Sequence, residues 1–318
     1  MRTRLTKALG LRRPIIQGGL AYLARAELAA AVSNAGGLGQ ITATTLEGPD
    51  AVREEISAVR RLTSYPFGVN FAIGHRPIDD LLKAALNEKV PVVSLTGGNP
   101  APYVDRILRA GAQLMVLVAG VRAAQKAASL GASVIIGVGV EGGGHLGRDD
   151  VGTFVLTRRL VEAVDIPVVA SGGIGDGRQL AAALALGAEG IEMGTRFVAT
   201  RECIAHPRYK DALIQHDIHQ TAIIERSLGR PGRTLPSPHV DRILVSEREG
   251  APLETLLPLI SGERNYQSAV LGHLDEGYVW AGQVTGLIRD VVPVQQLMDR
   301  IEEEALKAWQ QGQQVFET

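Results

Sequence analysis

IPVVASGGIGDGRQLAAALALGAEGIEMGTRFVAT, residues 166–200, contains one complete repeat of the plan on which the chain is built. A short apolar run, IPVVASGGI from Ile166, leads into DGRQLAAALALGA from Asp176 and then into a second apolar run, GIEMGTRFVAT from Gly190. Continuous apolar runs of this length suit strands buried on both faces, and the leucine and alanine spacing between them gives a helix one apolar stripe. Upstream the same rhythm recurs, with candidate strands PIIQGG from Pro14, GLGQITA from Gly37, PFGVNFAIG from Pro66, VPVVSLTGG from Val90, QLMVLVAG from Gln113 and SVIIGVGV from Ser133. Eight strands with seven intervening helices favour an α/β fold of the closed parallel TIM (β/α)8 barrel type over an open doubly wound sheet.

The rhythm breaks after Arg201. A polar stretch from His206 to about Asn265, containing HPRYKDALIQ and GRPGRTLPSPH, shows no strong strand pattern and reads as a mostly helical inserted lobe. GYVWAGQVTGLI and PVQQLMDRIEEEALKAWQQG then offer an eighth barrel helix and a C-terminal helix. The expected division is a discontinuous barrel, residues 1–205 and 266–318, with a cap over its mouth formed by residues 206–265.

Bulk properties narrow the function classes. With 318 residues, 45% of them hydrophobic, the chain can bury a large core, and a formal net charge of −1 leaves no electrostatic footprint for nucleic acid or an anionic membrane. The expected partners are small molecules. One cysteine, Cys203, excludes an intramolecular disulfide and a cysteine-only metal cluster and fits a reducing compartment, by default the cytoplasm. No apolar run approaches the roughly 18 residues of a membrane span, and the charged N-terminus MRTRLTKALGLRRP is not followed by the apolar run of a secretory signal.

Barrels of this class do their chemistry on loops at the C-terminal strand ends. The longest interval between strand starts, 33 residues from Ser133 to Ile166, contains the loop EGGGHLGRDDVG from Glu141. There His145 follows Gly142, Gly143 and Gly144, so the backbone can approach a planar ligand while an imidazole serves as base near neutral pH. The alternative is a glycine-rich turn carrying an exposed histidine. Loops seven and eight supply Ser171, Gly172 and Gly173, then Glu192, Met193, Gly194 and Thr195, at the two positions where barrels commonly bind phosphate. Flavin mononucleotide, a sugar phosphate or pyridoxal phosphate would each suit such a cradle. Gln17, Gly18, Gly19 and Asn70 fall at the same rim, where an amide could hydrogen-bond a heteroaromatic ring or simply form a turn.

PIIQGG, AAAVSNAGGLG, PFGVN, EGGGHLG, ASGGIGDGR, LGAEGIEMGTRF and AGQVTGLI, in that order, resemble the nitronate monooxygenase (2-nitropropane dioxygenase) family of flavin barrels over nearly the whole chain. The resemblance implies FMN at the barrel mouth, contacted by Asn70, Gly143, Gly173 and Glu192 to Thr195, with His145 beside the ring as base or electrostatic partner. It further implies oxidation of alkyl nitronates or nitroalkanes with O2. Related branches, a flavin enoyl-acyl-carrier-protein reductase and NAD(P)H:quinone reductases, would draw on NAD(P)H instead. GGNP and VLVAG look like the former; GHLGRDD and ATREC resemble the latter. Val138 departs from the pattern, standing where such proteins carry Gln, Glu or Asp. A homodimer is compatible with the chain.

Overall fold

Closure of the barrel rests on a few hydrogen bonds between its first and second strands. In the computed structural model, which describes residues 1–74 and 76–316, Gln17 N donates to Leu38 O at 2.9 Å and Leu38 N to Ile15 O at 3.0 Å. These join Ile15–Gln17 to the strand Gly39–Thr42. From there the cylinder continues through Phe67–Ala72, Val92–Thr96, Gln113–Val118, Val134–Val138, Val168–Ser171 and Gly190–Met193, all parallel, and the eighth pairs back onto the first. All eight expected strands are present.

Alternation along the strands sorts the side chains into two layers. Ile16, Leu38, Val92, Met115, Val134, Ile136 and Val169 point inward and meet Leu5 and Leu9 of the helix Arg4–Leu9, which plugs the barrel base. Thr3 caps that helix with a reciprocal capping box, so the plug has a defined start. Outward-facing residues such as Ile41, Val69, Val93, Leu114 and Ile135 pack against the surrounding helices. Among the described residues seven helices connect the strands, as expected. Pro49–Leu62 illustrates their logic: proline at the first turn, then Val52, Ile56 and Val59 buried at helical spacing.

The eighth helical position departs from expectation. AGQVTGLI yields only a short 3-10 turn, Gln283–Leu287, and the single long helix Val294–Phe316 takes the place between Gly177–Ala185 and Ala26–Asn34. Two glycines in QVTGLI's neighbourhood, Gly282 and Gly286, approach other backbone closely, which an α-helical rod at that point would not permit. The lobe also contains more than helices. Ala222–Ile224 and Gly232–Thr234 form an antiparallel hairpin within the stretch expected to be mostly helical, and the second strand pairs with Gly144–His145 from the barrel's sixth loop. Such strands are too short to leave an alternating pattern in sequence. Helices Pro207–Gln215, Pro238–Arg248, Leu253–Leu256 and Gly262–Ala269 complete this part of the chain among the described residues.

Candidate active site

The loops after strands seven and eight lie side by side because their strands are neighbours in the sheet. Gly172 and Gly173 turn with φ of +98° and +73°, and each is crowded: a Cβ would stand 2.7 Å from Gly139 O at the first and 2.7 Å from Glu141 Cβ at the second. Asp176 caps the helix Gly177–Ala185 by accepting from Gln179 N at 2.8 Å, while the Gln179 side chain holds Gly173 O and Gly175 N. In the eighth loop Thr195 Oγ1 accepts from Gly282 N at 3.0 Å, tying the late AGQVTG segment to the same place. Among the described residues, the amides of Gly173, Gly194 and Thr195 take no intrachain acceptor. Free amides on rigid neighbouring turns are what an anion needs.

Polar residues form the barrel's upper interior. Asn70 Nδ2 donates to Ser94 Oγ at 2.9 Å and to Thr96 Oγ1 at 2.8 Å, and Ser94 Oγ donates to Gln40 Oε1 at 2.6 Å. Asn70 Oδ1 lies where a side chain on Gly19 would have to go. Glu192, fully enclosed, accepts from Ser171 Oγ at 2.9 Å through Oε2, and its Oε1 has no hydrogen-bond partner. Its carboxyl carbon would be 3.1 Å from a Cβ at Gly18. Burial pushes this carboxyl up to about 7, opposed in part by the Ser171 hydroxyl.

That shift has a signed consequence for stability. The folded protein holds the Glu192 proton up to about pH 7, whereas an exposed carboxyl releases it near 4.5. The neutral acid's contribution is therefore complete below pH 4.5 and is lost as pH rises through 7, a change on the order of 3 kcal/mol. Glu192→Gln keeps the shape and the acceptor for Ser171 without the titration. The variant is expected to melt above the wild type at pH 8 and level with it near pH 4.5. A pH-independent gap between the two melting curves would refute this.

His145 occupies the edge of the small sheet, paired with Gly232, and its side chain is about one-third exposed. The imidazole Nε2 is 3.8 Å from Glu225 Oε1, and its ring centroid is 5.0 Å from that of Trp280. Gly143, two residues earlier, packs so tightly that a Cβ would stand 2.6 Å from Gly282 N. Gly144 pairs with Arg233, whose guanidinium donates to Val140 O and fastens the lobe to the sixth loop.

The residues expected at the rim differ in what they offer. Gln17 does not present its amide to the mouth: the side chain is buried, accepts from Gln40 N at 2.9 Å and donates to Gly18 O. Met193 packs its side chain into the outer layer with Leu23, Leu28 and Phe197, leaving only its backbone near the cradle. Val138 packs with the inward-facing cluster, so the barrel wall is apolar beside Gly142. Gln40, Ser94 and Thr96 were not singled out from sequence, although polar residues at inward positions of otherwise apolar strands were the available signal. Glu225 and Trp280 carried no such signal, since the lobe's pairing brings them in from 80 and 135 positions along the chain.

The barrel carries glycine turns with unbonded amides, a buried carboxyl and a histidine on loops at its C-terminal strand ends, and the comparisons define its class as oxidoreductase. The chain belongs to the nitronate monooxygenase family, whose model matches residues 2–80 and 73–304. Nitronate monooxygenase of Pseudomonas aeruginosa is 33% identical, covering 95% of this chain and 99% of that protein. The (3aS,4S,5R,7aS)-5-hydroxy-7a-methyl-1-oxo-octahydro-1H-indene-4-carboxyl-CoA dehydrogenase of Rhodococcus jostii is 30% identical over 96% of both chains. The solved structure of FabK from Thermotoga maritima superimposes with a TM-score of 0.92 at 39% identity over 99% of both chains.

Proposed function

We propose that the protein is an FMN-dependent nitronate monooxygenase that oxidises alkyl nitronates or nitroalkanes with O2. The observation carrying this reading is the cradle, where the amides of Gly173, Gly194 and Thr195 are available to a phosphate at the position barrels use for one. The residues fit the group in two further respects. Glu192 Oε1 lacks a partner that a ring atom could supply, and Asn70 presents a carboxamide beside the close turn at Gly19. Bound there, FMN would supply the two-electron redox chemistry and its coupling to oxygen.

The chain's own residues orient and exchange protons. His145 accepts the α-proton of a nitroalkane, leaving the nitronate anion, and the protonated imidazole then offsets the charge of that anion. Trp280 and the apolar Val138 flank the mouth, and residues 206–265 act as the cap over the barrel formed by 1–205 and 266–318. We extend the proposal to a cytoplasmic enzyme whose partners are a small-molecule substrate and O2. Cys203 is buried, and burial pushes its thiol up to about 11, so it stays an inert thiol. No described helix is long and apolar enough to cross a membrane.

One observation favours a second reading, a flavin reductase or dehydrogenase using NAD(P)H on an enoyl thioester or quinone. A relative named as a carboxyl-CoA dehydrogenase aligns along 96% of this chain. Anaerobic stopped-flow spectroscopy of the FMN-loaded protein separates the two. Rapid bleaching of the flavin absorbance by ethyl nitronate, with NADH and NADPH inert, is the expected result; the reverse pattern assigns the reductase. A preparation that stays colourless after incubation with FMN removes both.

A further inference from the structure

Glu192 is buried without a counter-charge among the described residues. It lies on the strand Gly190–Met193 between Ile191 and Met193, whose side chains pack into the outer layer, so alternation turns the glutamate toward the barrel interior. Its neighbours in the sheet are Ile16 on one side and Ser171 on the other. Gly18 closes over it: a Cβ there would stand 3.1 Å from the carboxyl carbon and 3.3 Å from Oε1. None of these three residues carries a charge. No charged side chain is among the influences on its ionisation, which are burial and the Ser171 hydroxyl.

The two carboxyl oxygens are unequal. Ser171 Oγ donates to Oε2 at 2.9 Å, whereas Oε1 has no partner. An ionised carboxylate would leave that enclosed oxygen charged with nothing to receive it, which is costly; a carboxylic acid can carry its proton there and needs one acceptor. Burial accordingly raises the carboxyl to about 7. Two features of the mouth favour the acid further once a nucleotide is bound. The amides of Gly194 and Thr195, proposed to hold the phosphate, follow two and three residues on, and a carboxylate so placed would repel a phosphate through a low-dielectric interior. Asn70, with its amide nitrogen committed to Ser94 and Thr96, presents Oδ1 as an acceptor at the adjacent Gly19, and a protonated Oε1 would give a ring edge a donor beside it.

We propose that Glu192 meets FMN as a neutral acid, donating a hydrogen bond from Oε1 to a carbonyl or ring nitrogen of the flavin, so that cofactor binding and retention of this proton are coupled. The inference rests on the reading of this mouth as an FMN site. Below the carboxyl's own titration the site is already in its binding form. Above it, the ionised chain must take one proton from solvent for each FMN bound, and affinity falls with the fraction still protonated. The site thus loosens its hold on flavin as the surroundings turn alkaline.

The test is equilibrium titration of the full-length protein with FMN, followed by flavin fluorescence, at a series of pH values. Glu192→Gln places a permanent N–H at the Oε1 position and keeps the acceptor for Ser171, so it reports the titration of the FMN phosphate and of every other group, and the wild type is read against it. Relative to this variant, wild-type affinity is expected to fall about 10- to 30-fold from about pH 6 to about pH 8.5. Ser171→Ala removes the hydroxyl that favours the ionised form, so its fall is expected to begin at higher pH, which keeps the coupling testable should Glu192→Gln not fold. Infrared spectra of the FMN-loaded wild type in mildly alkaline buffer are expected to show the carbonyl stretch of a protonated carboxylic acid, absent from Glu192→Gln. A wild-type affinity profile parallel to that of the variant, one that rises against it with pH, or a wild type lacking that stretch overturns the proposal while leaving FMN in the mouth. Failure of all three proteins to bind FMN at any pH overturns the reading of the site, and the coupling with it.

Discussion

Replacing His145 with alanine is expected to cut turnover by two to four orders of magnitude while leaving FMN bound. The size follows from general-base catalysis, which contributes roughly 10² to 10⁴ in rate. The separation of the two effects follows from geometry. His145 sits on the small sheet paired with Gly232, whereas the cradle is built from Gly172, Gly173, Gly194 and Thr195 on a different pair of loops. Its side chain is partly exposed and buries little, so the truncation leaves a solvated gap and a small stability cost. The informative comparison is between nitroalkane and preformed nitronate. If His145 removes the α-proton, the variant loses most of its rate with the neutral nitroalkane and recovers part of it with the nitronate. Equal losses on both substrates would show that the imidazole acts on the anion instead, and unchanged turnover would remove His145 from the reaction.

Gly172→Val is expected to abolish retention of FMN during purification. Any side chain there meets two obstacles at once. The backbone has φ +98°, outside the region a Cβ-bearing residue tolerates, at a cost of roughly 1–3 kcal/mol. The added Cβ would also stand 2.7 Å from Gly139 O and 3.0 Å from Thr153 Oγ1, and Thr153 Oγ1 itself donates to Gly172 O at 2.8 Å. Relief requires the seventh loop to move, which displaces the Gly173 amide from those of Gly194 and Thr195. Losing about 3 kcal/mol of binding weakens affinity more than 100-fold. Gly312→Ala, in open space on the long helix Val294–Phe316, should leave affinity untouched. Equilibrium titration with FMN followed by flavin fluorescence measures both; equal affinity in the two variants would rule out the cradle as the phosphate site.

How far the residues foretold this arrangement depended on the range of the interactions involved. The eight strands were legible because burial on both faces makes each a continuous apolar run, and the two glycine loops followed from strand number alone. His145 stood out through its local glycines. The eighth helix was misplaced because the chain's return after the lobe was taken as the next helical unit, although the glycines and β-branched residues of AGQVTGLI disfavour a helix and Gly286 lies against Asp217 and Ile218. Gln17 looked like a rim amide in QGGL, yet strand closure turns it onto Gln40 N. Glu225 could not be picked from ERSLGRPGRT, because its relation to His145 exists only after the hairpin pairs with the sixth loop.

The bond from Gly282 N to Thr195 Oγ1 spans 87 residues of chain. A chain that ends after the eighth strand and its loop therefore lacks the brace that Gly282 gives Thr195. The lobe must be made, and the chain must return, before the eighth loop is braced. With FMN held there as proposed, a product truncated before Gly282 is expected to retain no flavin.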